Sequence, residues 1–372
     1  MKTRVCDMLD IELPIFAFSH CRDVVAEISR AGGMGVLGVV GFTPEQLEEE
    51  LTWIDAHCNG KPYGIDILIP NVYAKGTGVA GADLLKMIPQ EHKRFLDQMC
   101  DDAELAPLPP GEAAQMLQSE MARINMTPES AAGLIEVALR HPVKLVVNAL
   151  GTPPKDMIAM LQARGVKVGS MVGAVEHAKA QVEAGVDLLI AQGCEAGGHT
   201  GKITSMVLWP QVVDAVAPIP VLAAGGIGRG RQMAAALALG AEGIWCGSIW
   251  LGTDKSDLGP DMKGRLFAAR SEDAVQSRSL SGKPCRLLRS KYSDAWEQPG
   301  APKPLAMPLQ TLATQEARMR IERSRATEYM SYPVGQIVGD MNEETTVRHI
   351  VFSMLDEFVT SSERLNNLLA SE

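Results

Sequence analysis

Eight short apolar runs alternate with amphipathic stretches as far as about residue 253, and this rhythm constrains the fold more than any other feature. The runs are PIFAFS (14–19), GVLGVV (35–40), YGIDILI (63–69), KLVVNAL (144–150), VKVGSMV (166–172), VDLLIAQ (186–192), PVLAAG (220–225) and GIWCGS (243–248). They are apolar throughout, as parallel strands covered on both faces are. Segments between them, such as TPEQLEEELTWIDAH and AVEHAKAQVEAG, have helical spacing, and several end in glycine, which closes helices easily. Eight βα units in succession predict a TIM (β/α)8 barrel. An open doubly wound sheet fits less well, because no GxGxxG follows the first run.

Two segments fall outside the rhythm. Residues 76–140, after the third run, are an insertion of mostly helical character: DLLKMIPQEHKRFLDQMC, PGEAAQMLQSEMARI and PESAAGLIEVALRH, with PLPPG as a linker. Residues 254–330 are richer in polar and basic residues. Residues 331–372 end in VRHIVFSMLDEFVTSSERLNNLLAS, whose helical period predicts a helix that returns to the barrel. The chain has 372 residues, 46% hydrophobic, enough for a large core. Its formal charge of −10 argues against a nucleic-acid or anionic-membrane partner. Seven cysteines form no CxxC pair and no His-linked metal spacing. An odd, unframed set suits a reducing cytoplasm. No apolar run reaches about 18 residues, so neither export nor a membrane span is expected.

In a TIM barrel the chemistry sits at the C-terminal strand ends, with phosphate at the loops after the seventh and eighth strands. Both places carry small residues here: Ala224-Gly225-Gly226, and Cys246-Gly247-Ser248. Adjacent glycines let successive N–H groups face an anion, a following helix adds positive potential, and Ser248 adds a hydroxyl donor. The plainer reading of AGG is a tight turn. The remaining strand ends put Asp66, Asn148, Ser170, Gln192 and His199 round one mouth, with His20 just beyond the first strand. His57, His92, His177 and His349 fall on predicted helices, and His141 precedes a proline. His199 reads as a functional side chain, or else as a loop residue capping carbonyls. Cys194 reads as a small packing residue, since no base partner marks it as a nucleophile.

AQGCEAGGHTG (191–201), NALGTPP upstream and PVLAAGGIGRGRQMAAALALGAEGIWCGS downstream together resemble the nitronate monooxygenase family, long called 2-nitropropane dioxygenases. YGIDILIPN, SGKPCRLLR and YPVGQIVG carry the likeness over most of the chain except 76–140. The resemblance implies an FMN-binding TIM barrel over 1–253 and a smaller domain at about 254–330. It implies that FMN phosphate rests on Gly225, Gly226, Gly247 and Ser248, with the ring near Asn148, Ser170 and Gln192. Gly197 and Gly198 would let backbone approach the ring, and His199 would face the substrate. The implied reaction takes an alkyl nitronate, or a nitroalkane, through FMN and dioxygen to a carbonyl compound and nitrite, without a nicotinamide. An NAD(P)H-dependent flavin reductase of quinone or enoyl-thioester type is the alternative on the same fold. Two departures stand out. Phe18-Ser19-His20 replaces the usual Ala-Pro-Met, and Asp66 stands where many relatives have asparagine. A homo-oligomer is left open.

Overall fold

Every one of the eight runs contributes a strand in the computed structural model, which describes residues 2–69, 85–112, 115 and 128–370. In chain order the strands are β1 (Ile15–Ser19), β2 (Met34–Gly38), β3 (Tyr63–Ile67), β4 (Leu145–Asn148), β5 (Lys167–Val172), β6 (Leu188–Gln192), the two-residue β7 (Gly198–His199), β8 (Val221–Ala224) and β9 (Gly243–Cys246). All but β7 form one closed parallel barrel, β9 pairing back onto β1. This is the expected TIM barrel.

Strand pleating divides each run between two cores. Phe16, Met34, Val36, Val147, Ile190 and Trp245 fill the barrel interior. Their neighbours, among them Ile15, Leu37, Ile67, Val146 and Ala191, pack outward under the helices. Burial on both sides is why the runs carry no polar alternation. The Arg4–Leu9 helix adds Val5, Cys6 and Leu9 to the interior cluster. The Thr3 hydroxyl donates to the carbonyl of Glu242, just before β9. The N-terminal segment therefore plugs the end of the barrel opposite the strand C-termini.

Local signals set the surrounding helices. Thr43 caps the Pro44–His57 helix reciprocally with Gln46, and proline occupies its first turn. The C-terminal helix, Val347–Leu369, is capped by Thr346 and packs on the Gly230–Ala238 helix. There a Cβ at Gly230 would lie 1.9 Å from the carbonyl oxygen of Met354, so only glycine permits the approach.

The described parts of 76–140 go to different places. The Pro128–Ala138 helix joins the outer barrel core through Ala131, Leu134 and Ile135, beside the Pro44–His57 helix. The Gln90–Asp102 helix packs Leu96, Met99 and Cys100 against Tyr292, Trp296 and Ile321. Most of PGEAAQMLQSEMARI lies outside the described residues. A second, three-stranded sheet runs in the order β10 (Ala274–Ser277), β11 (Cys285–Leu288), β7. It is antiparallel, with Cys285 opposite His199. Among the described residues no helix is long and apolar enough to cross a membrane, and no His, Cys, Asp and Glu cluster could hold a metal ion. The seven cysteines are free thiols.

Candidate active site

A cavity of about 970 Å³ opens at the C-terminal ends of the barrel strands. Its floor is the top of the barrel interior, where Phe18 stacks on Trp245 at 6.2 Å between ring centroids. Its outer wall comes from much later in the chain and includes Leu280, Leu287, Arg318, Met319, Tyr329 and Tyr332.

The AQGCEAGGHTG segment forms one side, and most of its glycines are there for the protein rather than for a ligand. A Cβ at Gly193 would meet the Ser205 Oγ at 2.0 Å, and one at Gly197 would meet Gly335 N at 2.8 Å. Only Gly198, at φ +78°, has open space where a side chain would be. Glu195 accepts from both the N–H and the hydroxyl of Ser205, so it tethers the start of the Ser205–Val216 helix. This is the cap role that acidic groups fill at helix N-termini. Two segments that carried the resemblance, SGKPCRLLR and YPVGQIVG, lie directly against this loop. The Arg286 guanidinium donates to the Cys194 carbonyl, and Gln336 N–H donates to the Glu195 carbonyl.

His199 lines the cavity on β7. Its Nδ1 lies 3.1 Å from the Pro284 carbonyl, which can only accept, so Nδ1 carries the proton. Nε2 is then the lone-pair nitrogen, with the Ser281 hydroxyl 3.4 Å away. Burial pulls the imidazole below its ordinary value, aided by nearby Lys283, although the Pro284 bond opposes this. His199 is therefore a neutral imidazole whose basic nitrogen accepts a long hydrogen bond from the Ser281 hydroxyl. The cysteines are poor nucleophiles here: burial raises the Cys194 thiol and pushes the Cys285 thiol up to about 12.

Beside this loop, Gly225 and Gly226 take φ +106° and +67° at the head of the Gly230–Ala238 helix. No described residue accepts from the N–H of Gly225, Gly226 or Ile227, whereas Gln232 ties up those of Gly228 and Arg229. Ser248 Oγ accepts from Gly335 N–H at 2.8 Å, leaving its own O–H to donate, and Gly247 lines the cavity beside it. Three unspent amides, a free hydroxyl and a following helix form a group that can accept an anion.

The other expected site residues divide by strand parity. Gln192 continues the inward series Leu188, Ile190 and lines the cavity, its amide free of hydrogen bonds to described residues. Asp66 also faces the interior, 5% exposed. His20 lines the mouth, with Nδ1 2.9 Å from the Gly38 carbonyl and its ring edge-on to Phe18. Asn148 and Ser170 do not line the cavity. They follow or precede inward residues, Val147 and Met171, and so point outward. The Asn148 amide accepts from Ile69 N–H and donates to the Leu150 and Gly151 carbonyls, while Ser170 sits fully buried behind it. On that side the cavity is lined by Ala149 and Leu150 instead. Of the other histidines, His92 is buried on the Lys303 carbonyl and His141 on Asp55, and neither lines the cavity.

The description of the nitronate monooxygenase family matches residues 2–357. The "Putative monooxygenase Rv1533" of Mycobacterium tuberculosis is 45% identical over 377 residues, 99% of this chain and 100% of that one. Among solved structures, the nitroalkane oxidase from Streptomyces ansochromogenes matches with a TM-score of 0.78 at 26% identity, over 97% of this chain and 99% of its own. FabK from Thermotoga maritima matches with a TM-score of 0.74 at 27% identity, over 99% of each chain.

Proposed function

Because this chain belongs to the nitronate monooxygenase family, we propose that it is an FMN-dependent oxidoreductase that converts nitroalkanes and their nitronates, with dioxygen, to a carbonyl compound and nitrite. The observation that carries the reading is the presence, in one cavity, of unspent amides at Gly225–Ile227 and a neutral imidazole at His199.

The residues present fit FMN. The Gly225, Gly226 and Ile227 amides with the Ser248 hydroxyl would hold its phosphate, and Gln192 would offer the ring a hydrogen-bonding amide over the Phe18–Trp245 floor. Bound FMN would supply the electron acceptor and the route to dioxygen. The chain's own work is on the substrate. His199 Nε2 takes the α-proton of a neutral nitroalkane as a general base. The imidazolium so formed, still held by the Pro284 carbonyl, pairs with the nitronate anion. Ser281 keeps the ring aligned, and the wall residues Leu280, Leu287 and Met319 exclude water. In this reading residues 1–253 hold the cofactor, 254–330 cover the substrate, and 331–372 tie back to the barrel. The free thiols suit a cytoplasmic setting.

The test is anaerobic visible spectroscopy of the purified protein, with propyl-2-nitronate or nitroethane in one cuvette and NADH or NADPH in another. Bleaching by the nitro compound alone, with nitrite formed on admitting air, supports the proposal. Bleaching by a nicotinamide alone moves the chain to the reductase alternative, and a colourless protein removes the cofactor.

A further inference from the structure

Asp66 is left without a task by the reaction above, yet it occupies the cavity floor. It lies on the inner face of β3, opposite Gly38 of β2 and Val147 of β4. Neither neighbour brings a polar side chain. Neither carboxyl oxygen is hydrogen-bonded to a described residue, and Oδ2 is wholly buried without a partner. A carboxylate in that position would be a buried, unpaired charge, costing several kcal/mol, so the group holds its proton. Burial alone lifts it well above the ordinary aspartate value of 3.8. His20, Cys246 and His199 are titratable groups that share the cavity. His20, over Gly38, is anchored on the Gly38 carbonyl; Cys246 on β9 is held as a thiol by burial; His199 is a neutral base on the opposite wall. No ion pair or hydrogen bond joins any of them, or Arg318 on the outer wall, to Asp66.

A protonated carboxyl has an O–H to give, and a buried donor without an acceptor is unfavourable unless a ligand brings one. We propose that Asp66 is a neutral hydrogen-bond donor to an acceptor atom of the flavin ring on the cavity floor, and that this bond makes flavin binding sensitive to alkaline pH. The inference rests on the FMN reading above. When pH rises far enough to ionise Asp66, the donor is lost and a negative charge appears beneath the ring, so affinity falls. An asparagine side chain keeps an N–H donor at the same place and cannot ionise.

Two measurements test this. FMN affinity is followed by fluorescence quenching from about pH 6 to about pH 10. Wild type should weaken about tenfold over that range, Asp66→Asn should stay within about threefold, and Asp66→Leu should be about tenfold weaker throughout. Difference infrared spectroscopy of the wild-type holoprotein, which needs no variant to fold, should show a carboxylic-acid C=O band that shifts on FMN binding and bleaches at alkaline pH. FMN bound with parallel pH profiles for wild type and Asp66→Asn, or the lack of an acid band, would overturn the role of Asp66 while leaving the cofactor in place. Failure of wild type to bind FMN at any pH would overturn the cofactor reading and this one with it.

Discussion

His199 owes its proposed chemistry to one hydrogen bond, since the Pro284 carbonyl fixes which nitrogen is protonated and burial keeps the ring neutral. His199→Asn should keep FMN but lose about 10²- to 10⁴-fold in kcat/KM with a nitroalkane, measured by oxygen uptake. Because the imidazole titrates below 6.5, the acid limb of wild-type kcat/KM should fall below that pH, with activity lost as His199 gains its proton. A limb above 6.5 would mean a different base. At the glycine pair, Gly226→Asp would force a side chain into a left-handed position, its Cβ 3.3 Å from the Glu195 Cβ, and bring an anion to the unspent amides. The purified variant should retain less than about a tenth of the wild-type flavin, which absorbance would show. The sequence indicated which strand ends matter but not every side chain's direction. Asp66 and Gln192 share a parity with inward residues, whereas Asn148 and Ser170 are one step off, and a single step reverses the face.

At the scale of elements, the eight barrel strands were legible because burial on both faces writes an unbroken apolar run. β7 was not legible, because its two residues become a strand only by pairing with β11, some 85 residues later. The glycines of AQGCEAGGHTG were conspicuous, but their cause lay elsewhere: Gly193 makes room for Ser205 and Gly197 for Gly335. The same logic joins the last helix to the barrel. Gly230→Val would drive a side chain into the Met354 carbonyl, with Glu357 close by. It should destabilise the protein by about 2 kcal/mol, read from urea unfolding, and its flavin spectrum should change little in whatever fraction stays folded. A Gly230→Val protein as stable as wild type would mean that the two helices part readily.

For the whole molecule, Asp66 links fold stability to pH. Its folded value lies above 3.8, so below 3.8 the group is neutral in both states. As pH rises the unfolded chain ionises first, and stability is lost until the folded value is passed. Thermal melts of the flavin-free proteins should therefore show Asp66→Asn gaining on wild type as pH rises from about 4 towards alkaline values. Curves that stay parallel would mean an ordinary, ionised aspartate. The arrangement of the cavity also separates two jobs along the chain. The amides, the floor aromatics and Gln192 come from barrel strands and their loops, while Leu280, Leu287, Arg318 and Met319 come from the region after the barrel. The two sides of the cavity are thus written in different stretches of the gene, so substitutions in the outer wall leave the amides and floor aromatics unchanged in sequence.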